Sequence, residues 1–200
     1  MDLVEKLTQA AWEGDAGLVA RLLGAGADLT ATNREHRTAL DLAVHAGHAE
    51  VVRVLLAAGA PLDGPAGPYH DLNLMCLAAM LGRTEVVEVL LDAGVRVDER
   101  NRSGLVPVVV AAGGGHRETV ALLLDRGADV DDRRMRNGTT PLGVAAWGGH
   151  AEVVRLLLAR GAQPTARALA SARSALEHRP EDRERYELVI DLLTPGTPGS

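Results

Sequence analysis

A chain of 200 residues with 46% hydrophobic content can bury a sizeable core, but 2% aromatics and no Phe oblige that core to be built from Ala, Val and Leu. Such a core suits closely packed short helices better than a thick β-sandwich. The formal net charge of -6 gives no general pull toward nucleic acid or anionic lipid, because holding a polyanion requires local positive charge.

In chain order, residues Asp2 to Gly14 predict a helix carrying Glu5, Lys6, Gln9 and Glu13, polar enough to end a stack. Nothing in Met1 to Lys6 resembles the apolar core of a signal peptide, and no run approaches the roughly eighteen apolar residues of a membrane span. From Gly14 onward the chain repeats itself. The segment GDAGLVARLLGAGA at Gly14 returns as GHAEVVRVLLAAGA at Gly47, GRTEVVEVLLDAGV at Gly82, GHRETVALLLDRGA at Gly115 and GHAEVVRLLLARGA at Gly149, at steps of 33, 35, 33 and 34 residues. The second glycines, Gly26, Gly59, Gly94, Gly127 and Gly161, keep the same steps, so length changes fall between units and never within a helix pair.

Each unit reads as two short helices. In the second, Val51, Val52, Val54, Leu55 and Leu56 form a wide apolar face, with Glu50 and Arg53 left for water. The glycine after it ends the helix in a left-handed conformation. The first helix opens at Thr140-Pro141, and Thr38 and Asn73 can cap their own copies. Val106 before Pro107 has no capping group, so that helix is expected to start less firmly.

The segments TPLGVAA at 140–146, GHAEVV and GADVD at 127–131 resemble the ankyrin repeat, whose first-helix motif is T-P-L-H-x-A at a period near 33. The resemblance spans roughly residues 2–165, as one capping and four full repeats. It implies an all-α solenoid of stacked helix-turn-helix units joined by hairpin-like loops. The motif's His is replaced by Asp41, Cys76, Val109 and Gly143, so its usual bond to the Thr is expected to be missing from all four full repeats. Beyond the array, Ala168, Leu169, Ala172 and Leu176, then Tyr186, Val189, Ile190 and Leu193, predict a diverged closing unit. The expected organisation is one domain over 1–193: an N-terminal cap at 1–32, repeats at 33–67, 68–100, 101–134 and 135–165, and a C-terminal cap at 166–193. The Pro- and Gly-rich stretch 194–200 is expected to be disordered.

By the resemblance, partner contacts come from loop fingertips and the exposed side of the first helices, on the concave face. Those positions are Arg34, Arg37 and His45 in the first full repeat, and Tyr69, His70, Leu72, Met80 and Leu81 in the second. The third contributes Arg102, Leu105 and Gly113, and the fourth Arg136, Asn137 and Trp147. Met80, Leu81, Leu105 and Trp147 are apolar where a solvated face would be polar, and Gly113 and Gly114 lie between them, which predicts a shallow apolar trough. These same side chains could instead cover seams between repeats. Arg100, Arg102, Arg133, Arg134 and Arg136 could form a basic rim, although Asp98, Glu99, Asp131 and Asp132 precede them and favour self-neutralising loops.

Chemistry is weakly signalled. His48, His116 and His150 recur with the repeat and belong to the scaffold. His36, His45 and His70 with Glu35, Asp41 and Asp71 do not recur and could converge as a metal or acid-base site, but no zinc spacing supports it. Cys76 with His70 could pair a thiol and a base, whereas a buried small thiol inside a helix is the plainer account. Gly113-Gly114-Gly115 follows a helix, where the dipole repels phosphate. The sum is a non-enzymatic interaction module, monomeric by itself and without cofactor, which grips a protein or peptide of unknown identity and binds neither nucleic acid nor membrane. The sole Cys76 can form no internal disulfide and points to a reducing cytoplasm. The alternative is an enzyme or metal-binding protein using polar residues of the first two full repeats.

Overall fold

The structure, a computed structural model, describes residues 2–62, 72–132 and 138–194. Within them the chain is all-α: α1 Leu3–Glu13, α2 Ala16–Gly24, α3 Ala39–Ala46, α4 Ala49–Ala57, α5 Leu74–Met80, α6 Thr84–Asp92, α7 Pro107–Gly114, α8 Arg117–Asp125, α9 Pro141–Gly148, α10 Ala151–Ala159, α11 Ala166–His178 and α12 Arg183–Leu193, with a 3-10 turn at Pro180–Asp182. No strand is present among the described residues, and no helix there is long and apolar enough to cross a membrane.

The helices pair in sequence, α1 with α2 through α11 with α12, and the pairs stack. First helices stack on first-helix neighbours along one layer (α1, α3, α5, α7, α9, α11), and second helices build the other. Small residues set the spacing of the first layer: Ala43, Ala78, Ala79, Ala111, Ala112, Ala145 and Ala146 are fully buried where adjacent helices meet. Between the layers, Val51, Val52 and Leu55 are repeated by Val86, Val87 and Leu90 and by Val153, Val154 and Leu157, all at 1% exposure or less. No unit could shield these faces alone, which is why the core runs continuously through the stack.

Helix starts follow the capping chemistry. Thr38, Asn73, Thr140 and Thr165 each accept a hydrogen bond from the backbone N–H three residues on, at 3.1, 2.8, 3.1 and 3.1 Å. Val106 makes no such bond, yet α7 still begins at Pro107 because the ring presets φ for the first helical position. One expectation is corrected here. In the first full repeat the motif's missing His is compensated, since the Asp41 carboxylate accepts from the Thr38 N–H at 2.9 Å and closes a reciprocal capping box. A carboxylate three residues past the cap is the right length for that bond, and the Cys76, Val109 and Gly143 side chains are not.

The last unit departs most from the repeat. Ala168, Ala172 and Ala175 of α11 and Tyr186, Val189 and Leu193 of α12 are buried against α9 and α10, while Leu169, Leu176 and Ile190 are half-buried at its edge. Thr194 ends α12, its N–H and hydroxyl both donating to the Ile190 carbonyl.

Candidate interaction face and the latches beneath it

The first helices end alike, and their ends build the floor of the candidate face. Counting back two residues from Gly14, Gly47, Gly82, Gly115 and Gly149 gives one column: Trp12, His45, Met80, Gly113 and Trp147. The backbone carbonyl of every member is taken by a side chain of the next unit. His48 Nε2 donates to Trp12 at 2.9 Å, Arg83 Nε to His45 at 3.2 Å, His116 Nε2 to Met80 at 2.8 Å, His150 Nε2 to Gly113 at 2.9 Å, and the Tyr186 hydroxyl to Trp147 at 3.3 Å. Carbonyls at a helix C-terminus have no partner inside the helix, so these latches satisfy groups that would otherwise be orphaned between layers. Sequence periodicity marks the three histidines as scaffold; their bonding agrees, and it adds Arg83 and Tyr186 to the same role.

Because a carbonyl can only accept, Nε2 of His150 carries the proton and Nδ1 is left as an acceptor, facing Arg185 Nη2 at 3.2 Å. Arg185 also donates to the carbonyls of Gly149, at 2.9 Å, and Gly148. Burial, with Arg185 and His116 nearby, holds the His150 pKa below the ordinary histidine range, and burial likewise lowers that of His45. A lowered pKa means that the folded protein resists the proton which the unfolded chain accepts. The contribution is complete above the unfolded value of about 6.5 and is lost as pH falls below it, toward the folded values. Urea midpoints are therefore expected to drop between pH 7.5 and 5.5, and a His150→Gln variant to drop less over that interval. Equal slopes for the two proteins would contradict this account.

Along the column the side chains differ. Trp147, expected to be either an anchor or a seam cover, packs on the next unit while keeping part of its surface exposed. The residue is 41% exposed, yet Arg179 stands 5.5 Å over its ring and His178 packs 6.1 Å away. Trp12 holds the same register at the other end, 45% exposed, with its ring 5.6 Å from His45. Sequence reasoning passed over Trp12 because its helix was treated as a polar cap, although its spacing to Gly14 equals that of Trp147 to Gly149. Between the tryptophans, Met80 and Leu81 are half-buried and Gly113 and Gly114 are exposed. The intervening helices α5, α7 and α9 contain no acidic or basic residue.

At the fingertips, Arg34 is exposed and pairs with Glu5 at 2.9 Å, Arg37 is half-buried, and Leu72 and Leu105 are half-buried at the loop bases. Asn33 and Asn101 shape these tips, each accepting backbone N–H bonds, Asn33 from Arg37 at 3.0 Å and Asn101 from Leu105 at 2.8 Å. Arg100 donates to the Gly104 carbonyl at 2.7 Å and lies 3.5 Å from the buried Asp132, as self-neutralising loops require. Arg102 is exposed, with no ion-pair partner among the described residues. Tyr69, His70, Arg136 and Asn137, with Asp71, Arg133 and Arg134, lie outside the described residues. Clefts of about 280 Å³ and 350 Å³ open where fingertips meet first helices, the former beside Trp12, Gln9 and Arg37, the latter beside Thr139, Thr140 and Arg167.

The residues singled out for chemistry are largely occupied with structure. Asp41 is buried in its capping box, and burial raises its pKa. Cys76 is fully buried, its Sγ 3.6 Å from the Leu105 carbonyl, and burial pushes the thiol up to about 12, so it is not a thiolate nucleophile at neutral pH. Among the described residues no three His, Cys, Asp or Glu side chains are grouped as a metal would require.

Comparison with known proteins agrees with this architecture. A profile of ankyrin repeats, three copies long, matches residues 7–101 and again 75–168. Over 127 residues the chain is 34% identical to the ankyrin repeat and KH domain-containing protein mask-1 of Caenorhabditis elegans, a match covering 62% of this chain but 5% of that much longer protein. With the two profile matches taking in most of its length and the stacked helix pairs beneath them, the chain belongs to the ankyrin repeat family, whose repeats generally mediate protein–protein interaction.

Proposed function

We propose that the protein is a non-enzymatic adaptor or inhibitor-like module that grips a protein or peptide along the face formed by its first helices, acting by occupancy. The observation carrying this is the stretch from Met80 to Trp147: three consecutive first helices without a charged side chain, ending in an exposed tryptophan. A surface with no other task would be expected to be polar there, and buried aromatic anchors dominate binding energy. The buried Cys76, the only cysteine, fits a reducing cytoplasmic setting, and nothing in the mechanism calls for a cofactor.

The test is affinity capture with the intact chain, followed by the same capture with Trp147→Glu and with Met80→Ala. Met80→Ala leaves the contacts of Trp147 with Arg179 and His178 untouched and so controls for damage to the cap. Each change should weaken the captured partner by about 2 kcal/mol or more, roughly thirtyfold in Kd, with far-UV circular dichroism unchanged. Unaltered affinity in both variants would remove this face from the footprint.

A further inference from the structure

Three successive units present different side chains at one register: Met80, Gly113 and Trp147. With neighbouring units about 10 Å apart, the two projecting groups stand about 20 Å from each other over a floor with no side chain. That floor is not enforced by the fold. Gly113 has an ordinary helical conformation, and a Cβ built on it would meet only Val144, at 3.8 and 3.9 Å, which is normal contact. Gly114 differs, since its Cβ would collide with His116 and approach the Met80 carbonyl at 3.2 Å. Gly114 is therefore explained by packing and Gly113 is not, although glycine inside a helix costs about 1 kcal/mol against Ala.

Two cations, Arg102 and Arg179, stand at the ends of this socket. Arg102 stands exposed at the fingertip on one side, and at the Trp147 end the Arg179 guanidinium spends one donor on the Tyr186 hydroxyl, at 2.7 Å, and keeps its others. The carboxylates lie off α5, α7 and α9. Among the described residues, Glu85, Glu88, Asp92, Glu118, Asp125 and Glu152 lie on second helices, Asp98, Glu99, Asp131 and Asp132 are half-buried or buried at loop bases, Asp129 is exposed in the loop after α8, and Glu177 and Glu181 flank Arg179 in the closing unit. A chain of net charge -6 thus keeps acid off the one apolar stretch of its first-helix layer.

The geometry points to an acidic peptide segment as the occupant: one bulky apolar side chain of the partner seats over Gly113 between Met80 and Trp147, and carboxylates flanking it meet Arg102 and Arg179. This assignment rests on the proposed use of the first-helix face and adds the partner's chemistry to it. Opposite charge on the rims supplies orientation and on-rate, and the apolar seat supplies affinity.

The probe is a displayed library of random 16-residue peptides selected on the full chain and then on its Gly113→Leu variant, which should fold at least as stably because it replaces an exposed helical glycine whose Cβ would make only ordinary contact with Val144. Peptides lost from the selection by Gly113→Leu, with affinity reduced tenfold or more, should carry net negative charge and a bulky apolar residue, and should weaken again on Arg102→Glu. Peptides lost on Gly113→Leu but neutral or basic would overturn the acidic partner and leave the face standing. Failure to enrich any peptide, or enrichment indifferent to Gly113→Leu, would overturn both.

Discussion

Replacing Gly82 with Ala should destabilise the protein by about 2–5 kcal/mol, against about 1–2 kcal/mol for the same change at Gly127. Both glycines are left-handed, with φ of 64° and 92°, so both substitutions carry the strain of placing a Cβ there. They differ in what the Cβ meets. At Gly127 nothing lies within 4 Å, whereas at Gly82 it would fall 2.4 Å from His116 Nδ1 and 2.7 Å from Cγ. The imidazole must withdraw, and the Met80 carbonyl loses the side-chain donor that reaches it from the next unit, at 2.8 Å. An unmet partly buried carbonyl costs about 1–3 kcal/mol, which is the difference expected between the two variants. Urea midpoints measure it. In a His116→Ala background the obstacle is gone, so Gly82→Ala should cost no more than Gly127→Ala; additive effects would show that the latch is not the cause.

That comparison also explains what could be read in advance. The period, the helix pairs and the glycines after second helices are local chemistry repeated five times, and repetition makes a weak local signal strong. The histidine latches were visible as a recurrence but not as bonds, because the carbonyls they meet lie 36 or 37 residues earlier and carry no mark of their own in the sequence. Arg83 escaped the pattern for a related reason. Its residue type differs, although its atom reaches the same carbonyl position. The capping box at Asp41 was missed because the family's His was sought there, when a carboxylate at that spacing can bond the Thr38 N–H instead. In the candidate face, Met80, Gly113 and Trp147 follow from register alone. The packing of Trp147 against His178 and Arg179 does not, since it joins the last regular repeat to a cap whose sequence no longer follows the repeat.

That cap sets the second large effect. Tyr186→Ala is expected to cost about 3–5 kcal/mol, because it removes the largest of the fully buried side chains among the described residues and leaves a cavity where α12 packs on its neighbours. The phenol also ties three elements together, accepting from Arg179 Nη1 at 2.7 Å and donating to the Trp147 carbonyl at 3.3 Å. In a stack held by nearest-neighbour interfaces the loss should appear locally, as release of α12 from α10, rather than as unfolding of the whole array. Brief proteolysis should then cut between His178 and Leu193 while residues before Gly149 stay protected. The fluorescence of Trp147 should shift as Arg179 and His178 leave its ring, an effect isolated in a Trp12→Phe background that removes the other tryptophan. Tyr186→Phe keeps the ring and loses only the hydroxyl, so about 1 kcal/mol and no new cleavage are expected. If Tyr186→Ala instead melted every unit in a single transition, the last interface would have to be as strong as those inside the repeat, and the diverged unit would be a full member of the stack rather than a lid on its end.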